Sequence, residues 1–349
     1  MSSLTQVAIT SRKIIRYSIY FAVFLVIVRY SYKIGLGLYR KYFPEPPPPP
    51  TLSFDKLSPI PFPSKTNTVD LVFTLETADL KLPKFPKQLT VYFMPKPIST
   101  IKSLDLAKQK AASLGFSPDG RELVETVYLF THPTSPASLN LNIVTGIFSI
   151  SYDLNSKPTA IENVPPTPEQ ATALAKTYLS RARSLPEDLS GEITHSFVKI
   201  NNGNFVEANS LSDANLIKIN LYRKTYNDLP NVTSVRGQAN VWFMFSGARA
   251  GGDQVVAAEY HHFALDENKN GTYPIKTSEE AWEELKSGKG YIADLGDNSK
   301  GTITIRKVYL AYYDPGQYTE YFQPVVVFEG DNNFVAYIPA VINEYVRSE

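Results

Sequence analysis

The run PEPPPPP at residues 44–50 constrains this chain more than any other stretch. Proline lacks a backbone N–H and has a fixed φ, so neither a helix nor a sheet interior passes through such a run. It reads as an extended polyproline stalk rising about 3.1 Å per residue, roughly 20 Å in all. TLSFDKLSPIPFP continues the proline-broken chain to Pro63, so residues 44–63 are expected to form a stalk or linker.

On the N-terminal side lies IIRYSIYFAVFLVIVRYSYKIGLGLYRKYF, residues 14–43. Its charge-free stretch runs from Tyr17 to Val28, and a spanning helix needs about 20 residues. Arg16 and Arg29 can snorkel from the ends of a span, and tyrosines flank it on both sides. No small-residue cleavage site follows, which favours an uncleaved anchor over a signal peptide. A surface-lying amphipathic helix is the alternative, because Arg29 and Lys33 share a face. Basic residues flank the apolar run on both sides, so the positive-inside rule does not decide orientation. A short head and a large polar body favour a cytoplasmic N-terminus.

Charge divides at the same place. Residues 1–50 hold Arg12, Lys13, Arg16, Arg29, Lys33, Arg40 and Lys41 against Glu45, a balance of +6. The whole chain carries +1, which leaves −5 for the body. A mildly acidic body offers no basic face for nucleic acid. Cysteine is absent, which excludes disulfides and thiolate metal sites.

Within the body, alternating patterns predict strands at 68–77, 88–95, 122–130, 138–144 and 147–154, with Thr145-Gly146 as a tight turn. More follow in EITHSFVKI, NLIKINLYR, ANVWFMFSG and QVVAAEYHHFAL, then at 302–313, 321–330 and 333–341. SGARAGGD (246–253) reads as a loop between two of them. Helices are few and begin alike at Ser103, Thr167 and Thr277, each fitting [ST]-x-[DE]-x-A. Each start offers a hydroxyl N-cap and a first-turn carboxylate. Pro168 suits position N1, and Thr277 with Glu280 makes a capping box. Helix followed by strands, three times over, predicts an α+β architecture of repeated helix-on-antiparallel-sheet units.

Patterns that would carry chemistry are weak. Asp266, Asn268, Asn270 and Gly271 match the first half of a calcium loop, but position 12 is Thr277 where a bidentate glutamate belongs. Asn270-Gly271 reads instead as a hairpin turn joining two β-rich units. His132 and His195 stand alone, and His261 and His262 point to opposite sides of a strand. Ser99-x-x-Lys102, Ser138-x-Asn140 and Lys286-Ser-Gly288 follow the order of a serine acyl-transfer enzyme, but the last triplet ends a helix. Glu279, Glu280, Glu283 and Glu284 read as a solvated helix face. No catalytic, cofactor-binding or metal-binding residue is assigned. Tyr309, Tyr312, Tyr313, Tyr318 and Tyr321 suggest core packing or a rigid binding surface.

The C-terminal stretches YPIKTSEEAWEELKSGKG and ITIRKVYLAYYDPGQYTEYFQPVVVFEGDNNFVAYIPAV resemble the last domain of YycH/YycI-type regulators. The helix-plus-sheet unit is similar to PepSY-like, cystatin-like modules, and residues 106–152 look like a divergent copy. The resemblance implies a single-pass, membrane-anchored extracytoplasmic protein that binds an envelope protein such as a sensor kinase, with no cofactor and no catalytic residues. The expected organisation is a head and transmembrane anchor at 1–43, the linker at 44–63, and a first PepSY-like domain at 64–160. A second β-rich domain at 161–276 and a third, YycI-like unit at 277–349 follow. A non-catalytic regulator of another envelope protein is thus expected. The alternatives are an envelope hydrolase or ligand-binding protein with an unrecognised site, or a structural surface spacer.

Overall fold

The computed structural model describes residues 3–42, 48–64, 71–249, 251–298 and 301–348. Most of the proline run, residues 44–47, lies outside them. Two compact units emerge, Met1–Pro49 and Pro50–Glu349. The first is a single helix, α1 (Ser3–Tyr42). Its Ile9–Tyr39 stretch is long and apolar enough to cross a membrane.

The second unit is α+β. It opens with β1 (Leu71–Leu75) and β2 (Gln88–Phe93), then α2 (Ser103–Ser113) and the strands β3 (Arg121–Val124), β4 (Val127–Thr131), β5 (Ala137–Asn142) and β6 (Phe148–Tyr152). Next come α3 (Pro168–Arg181), β7 (Ile193–Asn201), β8 (Asn204–Ala208), β9 (Leu216–Leu221), β10 (Asn231–Val232), β11 (Val241–Ser246), β12 (Val255–Tyr260) and β13 (Asp266–Pro274). The chain closes with α4 (Ser278–Lys286), β14 (Tyr291–Asp294), β15 (Gly301–Tyr313), β16 (Tyr321–Gly330) and β17 (Val335–Pro339).

Nine strands form one sheet in the order β3-β4-β5-β6-β12-β11-β9-β7-β8. The run after α2 and the run after α3 therefore meet edge to edge, where β6 pairs antiparallel with β12. Ala107 and Ala111 of α2, with Ala171, Ala175 and Leu179 of α3, bury against this sheet. Small alanines let both helices approach it closely. A second sheet runs β1-β15-β16-β17-β14, with β2 bridging β16 and β13 and β10 on β15. Its central strand, PVVVF, is buried on both faces, which explains a continuous apolar run in place of alternation. Ala281 and Leu285 of α4 cover one face. Ile60, Phe62, Tyr291 and Tyr313 belong to the cluster on the other.

The sheets cut across the boundaries expected from sequence. β1 pairs in parallel with β15, and β2 pairs antiparallel with β13 and β16, so the start of the expected 64–160 domain belongs with the C-terminal strands. The rest of 64–160 shares one sheet with most of 161–276. Nor are residues 50–63 a free linker. Leu57 is fully buried and bridges Val346, donating its N–H to Tyr345 O at 2.8 Å. Phe62 stacks on Tyr291 with ring centres 4.9 Å apart. Gln323 Nε2 donates to Ser58 O at 2.8 Å. Buried apolar side chains outweigh the proline content here.

Two local expectations also change. Ser103 is the first residue of α2, not its cap, and its Oγ accepts from Thr100 N at 2.9 Å. Asn270-Gly271 is not a hairpin turn, because Gly271 sits inside β13 opposite Val91. A Cβ at Gly271 would fall 2.9 Å from Ser53, so glycine here admits the docked 51–63 segment. Thr167 and Thr277 cap α3 and α4 in complete capping boxes with Gln170 and Glu280. Thr277→Ala is expected to lower stability by about 1 kcal/mol, readable as a shifted urea midpoint.

Candidate functional site: a cleft between the sheets

Where the two sheets meet, loops from both converge on Arg223, which follows β9. Its guanidinium is 1% exposed. Nε donates to Asp314 Oδ2 at 2.8 Å, Nη2 donates to Phe263 O at 2.6 Å, and Nη1 pairs with Asp188. Asp188 follows α3 and Asp314 follows β15, so one cation ties the ends of elements in both sheets together. His262 Nε2 lies 2.8 Å from Asp188 Oδ1, where its N–H donates to the carboxylate. Tyr226 OH donates to Asp188 Oδ2 at 3.3 Å. Phe322 lies beneath, its ring centre 5.8 Å from the guanidinium. Gly191 sits so close that a Cβ there would fall 1.9 Å from Arg223 O.

Burial alone would raise the Asp188 carboxyl, but the His262 hydrogen bond and the Arg223 charge outweigh it and hold it at about 2. A depressed carboxyl contributes stability above its unfolded value, 3.8, and loses it as pH falls through about 2. That contribution is about 2 kcal/mol. Acid unfolding of Asp188→Asn is expected to show a correspondingly weaker pH dependence between pH 4 and 2, measured by urea titrations across that window.

Arg223 forms part of the wall of a cleft of about 350 Å³. Tyr222, Tyr309 and Tyr337 line it, with Glu192, Glu329 and Arg236. Tyr309 OH donates to Glu329 Oε1 at 2.6 Å. Arg236 Nη1 donates to Asn333 O at 3.3 Å. Burial raises all three phenols above their ordinary value, and the Glu329 bond adds to this at Tyr309. They therefore stay protonated at neutral pH, and Tyr309 donates to Glu329 from a rigid ring. The cleft thus combines aromatic faces, carboxylates and a guanidinium, a set suited to recognition.

The other residues singled out in the sequence do not converge there. Tyr312 and Tyr313 are core residues on opposite faces of β15, and Tyr318 and Tyr321 pack against neighbouring clusters. His261 and His262 lie just past the end of β12, not within a strand, and His261 Nε2 pairs with Glu259 at 2.8 Å. Ser138 and Asn140 sit in β5, whereas Lys286 ends α4 and pairs with Glu283 at 2.8 Å. The acyl-transfer pattern is thus divided between the two sheets. Asp266 Oδ1 accepts from Asn268 N at 3.1 Å, and Asn270 Nδ2 donates to Glu267 O at 2.8 Å, turn bonds within the strand's bulge. Glu280 caps α4, and Glu284 pairs with the buried Lys276 at 2.8 Å, so that helix face is not simply solvated. Arg223, Asp188 and Asp314 carry no motif, and sequence reading did not single them out.

No family model and no curated protein matches this chain. Among solved structures, it is similar to an uncharacterized protein from Eubacterium rectale, with 12% identity and a TM-score of 0.37. That likeness covers 82% of this chain and 92% of the other.

Proposed function

We propose that this is a non-catalytic, membrane-anchored protein whose body lies outside the cytoplasm and binds and regulates another cell-envelope protein. The cleft carries this reading. Tyrosine and arginine concentrate binding energy at interfaces, and here the partly buried Tyr309 stands on a strand while the exposed Arg236 stands at the rim. The order of a helix followed by strands, met at α2, α3 and α4, supports a kinship with PepSY-like units and a YycH/YycI-type role. A sensor kinase is the class of partner that role suggests.

Affinity capture of the full chain from native membranes tests the reading. Wild type is expected to recover a membrane protein that Tyr309→Ala and Arg236→Glu each recover at least about tenfold less, a loss of about 1.4 kcal/mol. Equal recovery by all three would overturn it. A second reading, capture of a small ligand, is favoured by the cleft's volume, which lies within the range of small-molecule pockets. Under that reading the variants lose a bound small molecule, detected by mass spectrometry, in place of a protein.

A further inference from the structure

The C-terminal ends of α2 and α3, with the turn between β5 and β6, wall a separate cavity of about 450 Å³. Lys110, Arg181 and Arg183 line it, and no carboxylate does. Among the described residues none of the three enters an ion pair. Lys110 Nζ lies 6.0 and 5.8 Å from the ring centres of Phe148 and Tyr260 and donates a long bond, 3.4 Å, to Gly146 O. Burial lowers its pKa. The cavity thus gathers three cations, in a body whose overall charge is negative, without compensating them.

Helix dipoles explain part of this. Lys110 and Arg181 occupy the last turns of α2 and α3, where exposed carbonyls favour cations. They do not explain Arg183. Helices α2, α3 and α4 all end in the same paired hydrogen bonds, 6→1 and 5→2, around a left-handed residue. In α2 these are Phe116 N to Ala111 O and Gly115 N to Ala112 O. In α4 they are Lys289 N to Glu284 O and Gly288 N to Leu285 O. The left-handed residues there are Gly115 and Gly288, with φ of 95° and 74°. In α3 the bonds are Ser184 N to Leu179 O and Arg183 N to Ser180 O, and the left-handed residue is Arg183, φ 49°. An arginine there carries a backbone cost that glycine avoids. That arginine stands exposed beside Arg181 on the wall of a cavity that Lys110 also lines.

We propose that this cavity binds a phosphate-bearing ligand, with Arg183, Arg181 and Lys110 facing the phosphate and Leu106, Leu141 and Ile143 facing any apolar part attached to it. Guanidinium forks match phosphate oxygens in pairs, and a dianion answers several uncompensated cations better than a single carboxylate does. The phosphate can belong to a soluble ester or to an anionic phospholipid headgroup.

The test uses the full chain, melted in neutral detergent with sodium phosphate or with sodium chloride at equal ionic strength, and in phosphatidylcholine nanodiscs with or without phosphatidylglycerol. Wild type is expected to gain about 3 °C or more in Tm from phosphate or from phosphatidylglycerol. A gain from phosphate alone assigns a soluble source, and a gain from the lipid alone assigns the headgroup. Arg183→Gly is expected to melt higher than wild type in chloride, by relief of the left-handed backbone, and yet to lose the ligand-induced gain. Lys110→Met is expected to lose that gain as well. No gain in either arm, or an undiminished gain in both variants, would overturn the proposal.

Discussion

Arg223→Ala is expected to unfold at a far lower urea concentration than wild type, with a loss of about 3–5 kcal/mol. The reason lies in what remains. Removing the guanidinium leaves Asp188 and Asp314 buried in the junction, 13% and 9% exposed, without their cation. Uncompensated buried charge costs more than the ion pair contributed, and natural domains hold only about 5–15 kcal/mol in reserve. Arg223→Lys keeps the charge but cannot reach Asp188, Asp314 and Phe263 O at once, so an intermediate loss is expected. The triple variant with Asp188→Asn and Asp314→Asn is expected to recover part of the stability lost by Arg223→Ala. Equal urea midpoints for wild type and Arg223→Ala would refute the role assigned to this junction.

The second large effect concerns the segment after the proline run. Leu57→Ala and Phe62→Ala are expected to cost about 2 kcal/mol or more each. The two side chains pack in different clusters, Leu57 with Val91 and Tyr273, Phe62 with Tyr313 and Tyr337. Their effects should therefore add, bringing the double variant down by about 4 kcal/mol or more. A free linker would instead give changes within about 0.5 kcal/mol. Equilibrium urea unfolding of the four proteins separates the two outcomes.

Both predictions concern features that sequence reading could not locate. Capping chemistry is local, so the starts at Thr167 and Thr277 were legible from a hydroxyl followed by a first-turn carboxylate. Strand alternation is local too, and it placed most strands. Pairing is not local. β1 and β15 are joined across more than two hundred residues, and nothing in LVFTL names GTITI as its neighbour. The same holds for the charge junction, where Arg223 meets Asp188, His262 and Asp314 at separations of 35, 39 and 91 residues. In NLIKINLYR that arginine reads as an ordinary polar residue closing a strand.

Local signals also misled where a distant segment intervened. Asn270-Gly271 has the composition of a turn, yet the glycine is needed because Ser53 lies against it. Proline-rich 51–63 has the composition of a linker, yet Leu57, Ile60 and Phe62 have partners waiting in the C-terminal strands. The tyrosine-rich strand was legible as packing or binding surface without being divisible between them. Only the fold separates Tyr312 and Tyr313, inside, from Tyr309, on the cleft.

A partner protein seated in the cleft between the sheets, as proposed, would lie within reach of its rim. Val235 stands on its rim, half exposed, so a photo-crosslinking amino acid there should leave the fold intact. Irradiation of intact native membranes is expected to join position 235 of the full chain to one protein, in an adduct absent when the crosslinker sits at the exposed Val124 and abolished by Arg236→Glu. Adducts of equal yield from both positions, or an adduct at 235 that survives Arg236→Glu unchanged, would contradict it.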